Sequence, residues 1–196
     1  MKKIILVVLL ICPALQLFAD RWDNKTAELK GKKILVFTKN GEGFVHDNIE
    51  ANVDMFLRLG EQYDFRVDST SNSAIFSTSD LFQYDAIVFA NTNNKVFENE
   101  EEKEGLIQFN RQGKGIVGIH IACGTEREWD WFKQMIGGTF DFHPRLQKFN
   151  VCIVDDKHPS ARDISPVWEV EDELYILKEM NPTVRVLMVS DFSSPD

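Results

Sequence analysis

The chain has 196 residues, 22 Lys and Arg against 31 Asp and Glu, and a formal net charge of −9. The length suits one domain with a sizeable core, and an acidic chain without a basic stripe is a poor partner for nucleic acid, so none is expected. Cys123 and Cys152 show neither metal-ribbon nor disulfide-framework spacing, and both are expected as free thiols.

Residues 1–19 read as a cleavable secretory signal peptide. Lys2 and Lys3 give a basic start, Ile4 to Ile11 an apolar run, and Leu17-Phe18-Ala19 a cleavage site. Ile11 stands before Cys12 where a lipoprotein signal would place a small residue. The run is too short to span a bilayer, so no membrane association is expected after its removal. Cleavage takes two lysines and no acid from −9, leaving −11 on a periplasmic or secreted chain.

From there, apolar runs alternate with helical patterns, which predicts a parallel sheet covered by helices. Ile34-Leu35-Val36-Phe37 is the first strand. Ile49, Val53, Phe56 and Leu57 recur at helical spacing, with Asp47 or Asn48 able to cap and Gly60 placed to end the helix. Phe65 to Asp68 and Asp85 to Ala90 are the second and third strands. Asn99 to Gln112 is a helix whose first turns hold Glu100, Glu101, Glu102 and Glu104. Acids there complement the helix dipole, so we read the cluster as a solvated helix start rather than a metal site. Leu106 and Phe109 face inward, and Gly113 closes the element.

Gly115-Ile116-Val117-Gly118-Ile119 reads as a buried fourth strand that delivers His120 at its carboxyl end, followed by Ile121 and Ala122. In open α/β sheets ligands bind just outside those ends, which places His120 for chemistry, although a satisfied core histidine is the competing reading. Trp129 to Met135 is a short helix stopped by Gly137-Gly138. Val151 to Val154 and Val184 to Val189 are later strands. Polar clusters stand beside these elements. Gly43-Phe44-Val45-His46-Asp47 follows the first strand, and Asn91-Thr92-Asn93-Asn94 follows the third. Phe140-Asp141-Phe142-His143-Pro144 follows the double glycine. His46 and His120 are therefore expected on one rim of the sheet, with His143 near them.

These pieces, together with Trp129-Asp130-Trp131-Phe132, His158-Pro159-Ser160 and Asp172-Glu173-Leu174-Tyr175, form an ordered set. From about Lys33 onward the chain resembles the ThuA-like (trehalose utilisation) family of the class I glutamine amidotransferase-like fold. The resemblance implies an α/β fold with a flavodoxin-like parallel sheet and helices on both faces, in a domain covering 20–196. Relatives usually continue through a further G-K-G-R-V strand and a Gly-His turn, so the sheet is expected to lack a strand or two here. In amidotransferases of this fold the turn after the fourth strand reads G-x-C-x-G. Here His120 holds the nucleophile position and Cys123 lies three residues on, so glutaminase chemistry is not expected.

The resemblance implies handling of trehalose-type disaccharides or their 3-keto forms, by hydrolase or lyase chemistry if the protein is an enzyme. A non-catalytic carbohydrate-binding or structural domain is the alternative. His120, His46 and Glu173 are the candidate catalytic residues. Asn91, Thr92, Trp129 and Tyr175 are candidates for binding the sugar. His46, His120 and His143 are the alternative as ligands of a divalent metal such as zinc. Core packing competes for the tryptophans, and solvated surface for Asp172-Glu173.

Overall fold

In the computed structural model, which describes residues 28–191, four strands form a parallel sheet: β1 (Lys33–Phe37), β2 (Arg66–Thr70), β3 (Ala86–Ala90) and β4 (Gly115–Ile119). The expected signal peptide lies outside the described residues. The strand order β2-β1-β3-β4 reverses between β1 and β3, as in doubly wound sheets. Every pairing is parallel, so all four carboxyl ends share one rim.

Alternation along β1 and β3 sends side chains to two different cores. Leu35, Phe37, Ile87 and Phe89 face the 3-10 turns Ser73–Ser77 and Ser79–Gln83 and two helices, α2 (Glu100–Arg111) and α3 (Asp130–Ile136). This side is rich in phenyl rings, with Phe37, Phe76, Phe89, Phe97, Phe109 and Phe132 all fully buried. Each contributes about 1.5–3 kcal/mol of burial free energy. Val36, Val88 and Ala90 face the other way, against Val53 and Phe56 of helix α1 (Ile49–Tyr63). Helices thus cover both faces.

Helix α2 starts as its sequence requires. Asn99 accepts a hydrogen bond from the Glu102 N–H, and the buried Glu102 carboxylate accepts one from the Glu98 N–H. The first-turn acids cap and complement the dipole.

Several boundaries differ from the sequence reading. Helix α1 runs through Gly60 to Tyr63 and ends on a left-handed Asp64. Gly60 is not a stop. It is where the helix touches the returning chain, and a Cβ there would lie 2.7 Å from the Phe65 carbonyl oxygen. Strand β4 is an edge strand and not a buried one. Among the described residues it pairs only with β3, and Val117 is 46% exposed. Its apolar run looks buried because two of its five residues are glycine and add no polar signal.

Beyond α3 the chain turns antiparallel. Strand β5 (Thr139–Phe142) pairs with β8 (Ile176–Lys178), and β6 (Gln147–Ile153) lies between β7 (Val167–Asp172) and β9 (Met188–Asp191). The strand expected over Val184 to Val189 begins only at Met188. Before it, Arg185 reaches Asp155 and the Leu187 carbonyl accepts from Val154 and Asp155, which takes that stretch out of the ladder.

Candidate functional site

Four separate stretches meet above the rim. His46 lies in the loop between β1 and α1. His120 is the first residue after β4. His143 follows β5. Glu173 and Tyr175 lie between β7 and β8. The β5–β8 pairing sets Ile176 against Phe142 and so brings Tyr175 beside the β5 end.

His120 stands at the strand-to-turn corner with φ 52°, a left-handed conformation that is costly for a residue carrying a Cβ. A 3-10 turn, His120–Gly124, follows directly. The corner aims the imidazole at the Tyr175 hydroxyl. Cys123 lies three residues on. Its thiol is bonded to the His120 carbonyl oxygen, and burial pushes its pKa up to about 11. A protonated, buried thiol is a poor nucleophile. Cys123 and Cys152 are both free, as expected.

The Tyr175 hydroxyl is the hub of the cluster. It lies 2.9 Å from His120 Nε2, 3.3 Å from His46 Nε2 and 3.1 Å from Glu173 Oε2. A phenol has one proton and two lone pairs. Donated to the Glu173 carboxylate, that proton leaves both lone pairs to accept Nε2–H groups from the two histidines. The valences close with a proton on Nε2 of both imidazoles and the Glu173 carboxylate accepting. Burial, then the Glu173 charge and hydrogen bond, raise the Tyr175 pKa far above the ordinary phenol value and hold it protonated. Burial, followed by the neighbouring His46, lowers the His120 pKa against the opposing pull of Asp172 and Glu173. His46 Nδ1 is buried without a partner among the described residues, as a lone pair in the same tautomer would be.

His143 meets the cluster through the other carboxylate oxygen, with Nε2 3.6 Å from Glu173 Oε1. Its Nδ1 lies 2.8 Å from the Pro144 carbonyl oxygen, which can only accept, so Nδ1 carries a proton. The aromatic rings form a row. Centroids are 4.9 Å apart for Phe44–His46, 4.6 Å for His46–His120 and 4.5 Å for His120–Tyr175. Phe140 then contacts Tyr175 at 4.7 Å, with the Arg127 guanidinium 5.2 Å above its ring.

The structure brings His46, His120, His143, Glu173 and Tyr175 together. It gives Asn91, Thr92 and Trp129 other work. Asn91 and Thr92 are fully buried; Asn91 donates to Asn48, and the Thr92 hydroxyl pairs with that of Thr125 at 2.7 Å. Neither offers surface to a sugar. Trp129 packs on Phe97, Trp131 and Phe132 beside the phenyl-rich core. The donor set that converges for a metal also differs from the expected three histidines. His46, His120 and Glu173 offer atoms within 4.8 Å of one another, and His143 stands behind the carboxylate. Two nitrogens and an oxygen suit zinc and its neighbours. An ion there would take the histidine nitrogens from Tyr175 and put the His46 proton on Nδ1, where no described residue accepts it.

Sequence reasoning missed the hub role of Tyr175, which it read as a sugar-facing ring. It also missed Phe44 and Phe140, although both stand within the quoted histidine motifs.

Comparison with known proteins fixes the kinship. A family model described as ThuA, trehalose utilisation, matches residues 33–196. The chain belongs to the ThuA family. A crystal structure of a ThuA-like protein from Bacteroides uniformis is similar at TM-score 0.70 and 21% identity, over 84% of this chain and 69% of that one. A ThuA-like protein from Parabacteroides merdae follows at TM-score 0.65 and 18% identity, over 82% and 68%. None of the curated proteins matches. At these identities the solved structures establish the fold alone.

Proposed function

We propose that this ThuA-family protein processes a trehalose-type disaccharide, or its 3-keto form, by acid–base chemistry outside the cytoplasm. The observation that carries the reading is the meeting of two imidazoles and a carboxylate on one phenol hydroxyl, at the rim where open α/β sheets bind ligands. Glu173 is the base of the set, Tyr175 its proton donor, and the neutral His120 a second base beside them. In a 3-keto sugar the carbonyl acidifies the C2 proton. Its removal by the carboxylate forms a C1=C2 double bond as the C1–O glycosidic bond breaks, and the Tyr175 hydroxyl protonates the departing oxygen. The lowered His120 pKa keeps that imidazole neutral near neutral pH, so that its free ring nitrogen can accept a proton.

The test is turnover of trehalose and 3-keto-trehalose by the wild type and His120→Asn. Asn keeps a hydrogen-bonding group but cannot titrate. Activity lost with thermal stability retained supports the reading. Stability lost with sugar binding unchanged makes His120 a structural residue and leaves a non-catalytic carbohydrate-binding domain. A metal-assisted version is favoured by the convergence of His46, His120 and Glu173. It predicts stoichiometric zinc in the purified protein and loss of turnover with a chelator. The export reading rests on the order of residues 1–19, and N-terminal sequencing of exported protein should begin near Asp20.

A further inference from the structure

The row of rings has one exposed end. Phe140 lies under Arg127, and Tyr175 is stacked between His120 and His143. Phe44 touches the site only through the edge of His46, and it is 70% exposed. An exposed phenyl on a mobile loop would mean little, but this loop is built. Gly41 N donates to the Asn93 carbonyl oxygen at 2.9 Å. The Asn93 amide donates to the Phe44 carbonyl oxygen at 3.3 Å, and the Asn94 amide to that of Glu42 at 2.8 Å. Gly43 turns the chain with φ 124°, a conformation open in practice only to glycine, and a Cβ there would lie 2.8 Å from the Asn94 amide nitrogen. The backbone under the ring is thus fixed before any ligand arrives, which removes the ordering cost from binding.

The polar members of the cluster cannot supply that apolar surface. His46, His120, Glu173 and His143 expose 12, 21, 28 and 36% of their side chains, and all of them present polar atoms. Such groups orient a substrate and contribute little of the apolar burial that holds it. Phe44 stands next to His46 and one ring further from the hub than His120.

We infer that Phe44 is the stacking platform for the second pyranose of a disaccharide whose reacting unit lies at the Tyr175 hydroxyl. The inference rests on the carbohydrate reading above and adds to it a length: the site is built for two sugar rings. The apolar C–H face of the second ring covers the phenyl, and its hydroxyls stay in solvent.

The experiment compares 3-keto-trehalose with methyl 3-keto-α-glucoside, using the full chain and the variants Phe44→Ala, Phe44→Leu and Phe44→Trp. Phe44→Ala should raise KM for the disaccharide about tenfold, with a smaller fall in kcat and little change for the monosaccharide. Phe44→Trp should restore KM, and Phe44→Leu should restore it only in part, because it returns apolar bulk without a flat face. Equal KM values for wild type and Phe44→Ala on a disaccharide that is turned over would overturn the platform and leave the proposed function standing. A change in oligomeric state by sedimentation, with KM unmoved, would overturn it in favour of a contact between copies. No saturable turnover of either sugar by the wild type would overturn both readings together.

Discussion

Two loops leave neighbouring strands at the same rim and do opposite work. β3 ends at Asn91 with φ 52°, and β4 ends at His120 with the same φ. Both corners are left-handed, both loops are polar, and the sequence marks both as binding candidates. After β3, every side chain from 91 to 94 is turned inward or spent on the neighbouring loop, on Asn48, Thr125, Phe44 and Glu42. After β4, the His120 ring goes to the Tyr175 hydroxyl in the open site. The difference lies in what stands opposite. The loop carrying His46 takes amide N–H groups of Asn91, Asn93 and Asn94, whereas over His120 it brings only the His46 ring, beside the Tyr175 hydroxyl. A polar loop at the rim is scaffold when another loop takes up its hydrogen bonds and chemistry when its side chain meets other titratable groups.

The comparison breaks most sharply at the hub. Tyr175→Phe and Glu173→Gln should each lower turnover by about 10²- to 10⁴-fold while shifting the melting temperature little. Retained turnover in both would mean that the cluster is structural. The opposite outcome is expected of Thr92→Val. It leaves the Thr125 hydroxyl buried and alone, for about 1–3 kcal/mol of lost stability by denaturant titration, with KM unchanged. A raised KM without lost stability would return Thr92 to the sugar-binding set. Asn94→Gly keeps the left-handed backbone and removes only the bond to Glu42. It should cost about 0.5–1.5 kcal/mol and raise KM through the loosened Phe44 loop. The smallest effect concerns pH. A His120 pKa below its ordinary 6.5 means that the folded state disfavours the imidazolium. The contribution of the neutral ring is full above 6.5 and is lost as pH falls through the lower folded value. The wild type should therefore lose melting temperature on acidification over this window more steeply than His120→Asn. Parallel curves would show that His120 is not desolvated.

The parts of this protein that are local were legible in the amino-acid order. β1 and β3 announce themselves because continuous apolar runs suit strands buried on both faces. α2 does so because Asn99, its crowded acids and the inward Leu106 and Phe109 agree with one another. His46 and His120 were legible as rim residues because parallel strands must deliver their ends to one side. Tertiary structure decided the rest. Among the described residues β4 is an edge, because strand order is not written in any one strand. Gly60 stayed inside its helix because Phe65 returns against it, a contact between segments. Asn91 was turned to Asn48, 43 residues earlier in the chain, and Thr92 to Thr125, 33 residues later. Tyr175 became the hub because β8 pairs with β5 across 34 residues, Ile176 to Phe142. Spacing along the chain reports which atoms can lie on one face, but a hydroxyl with three partners is fixed only when two distant segments pack against its own.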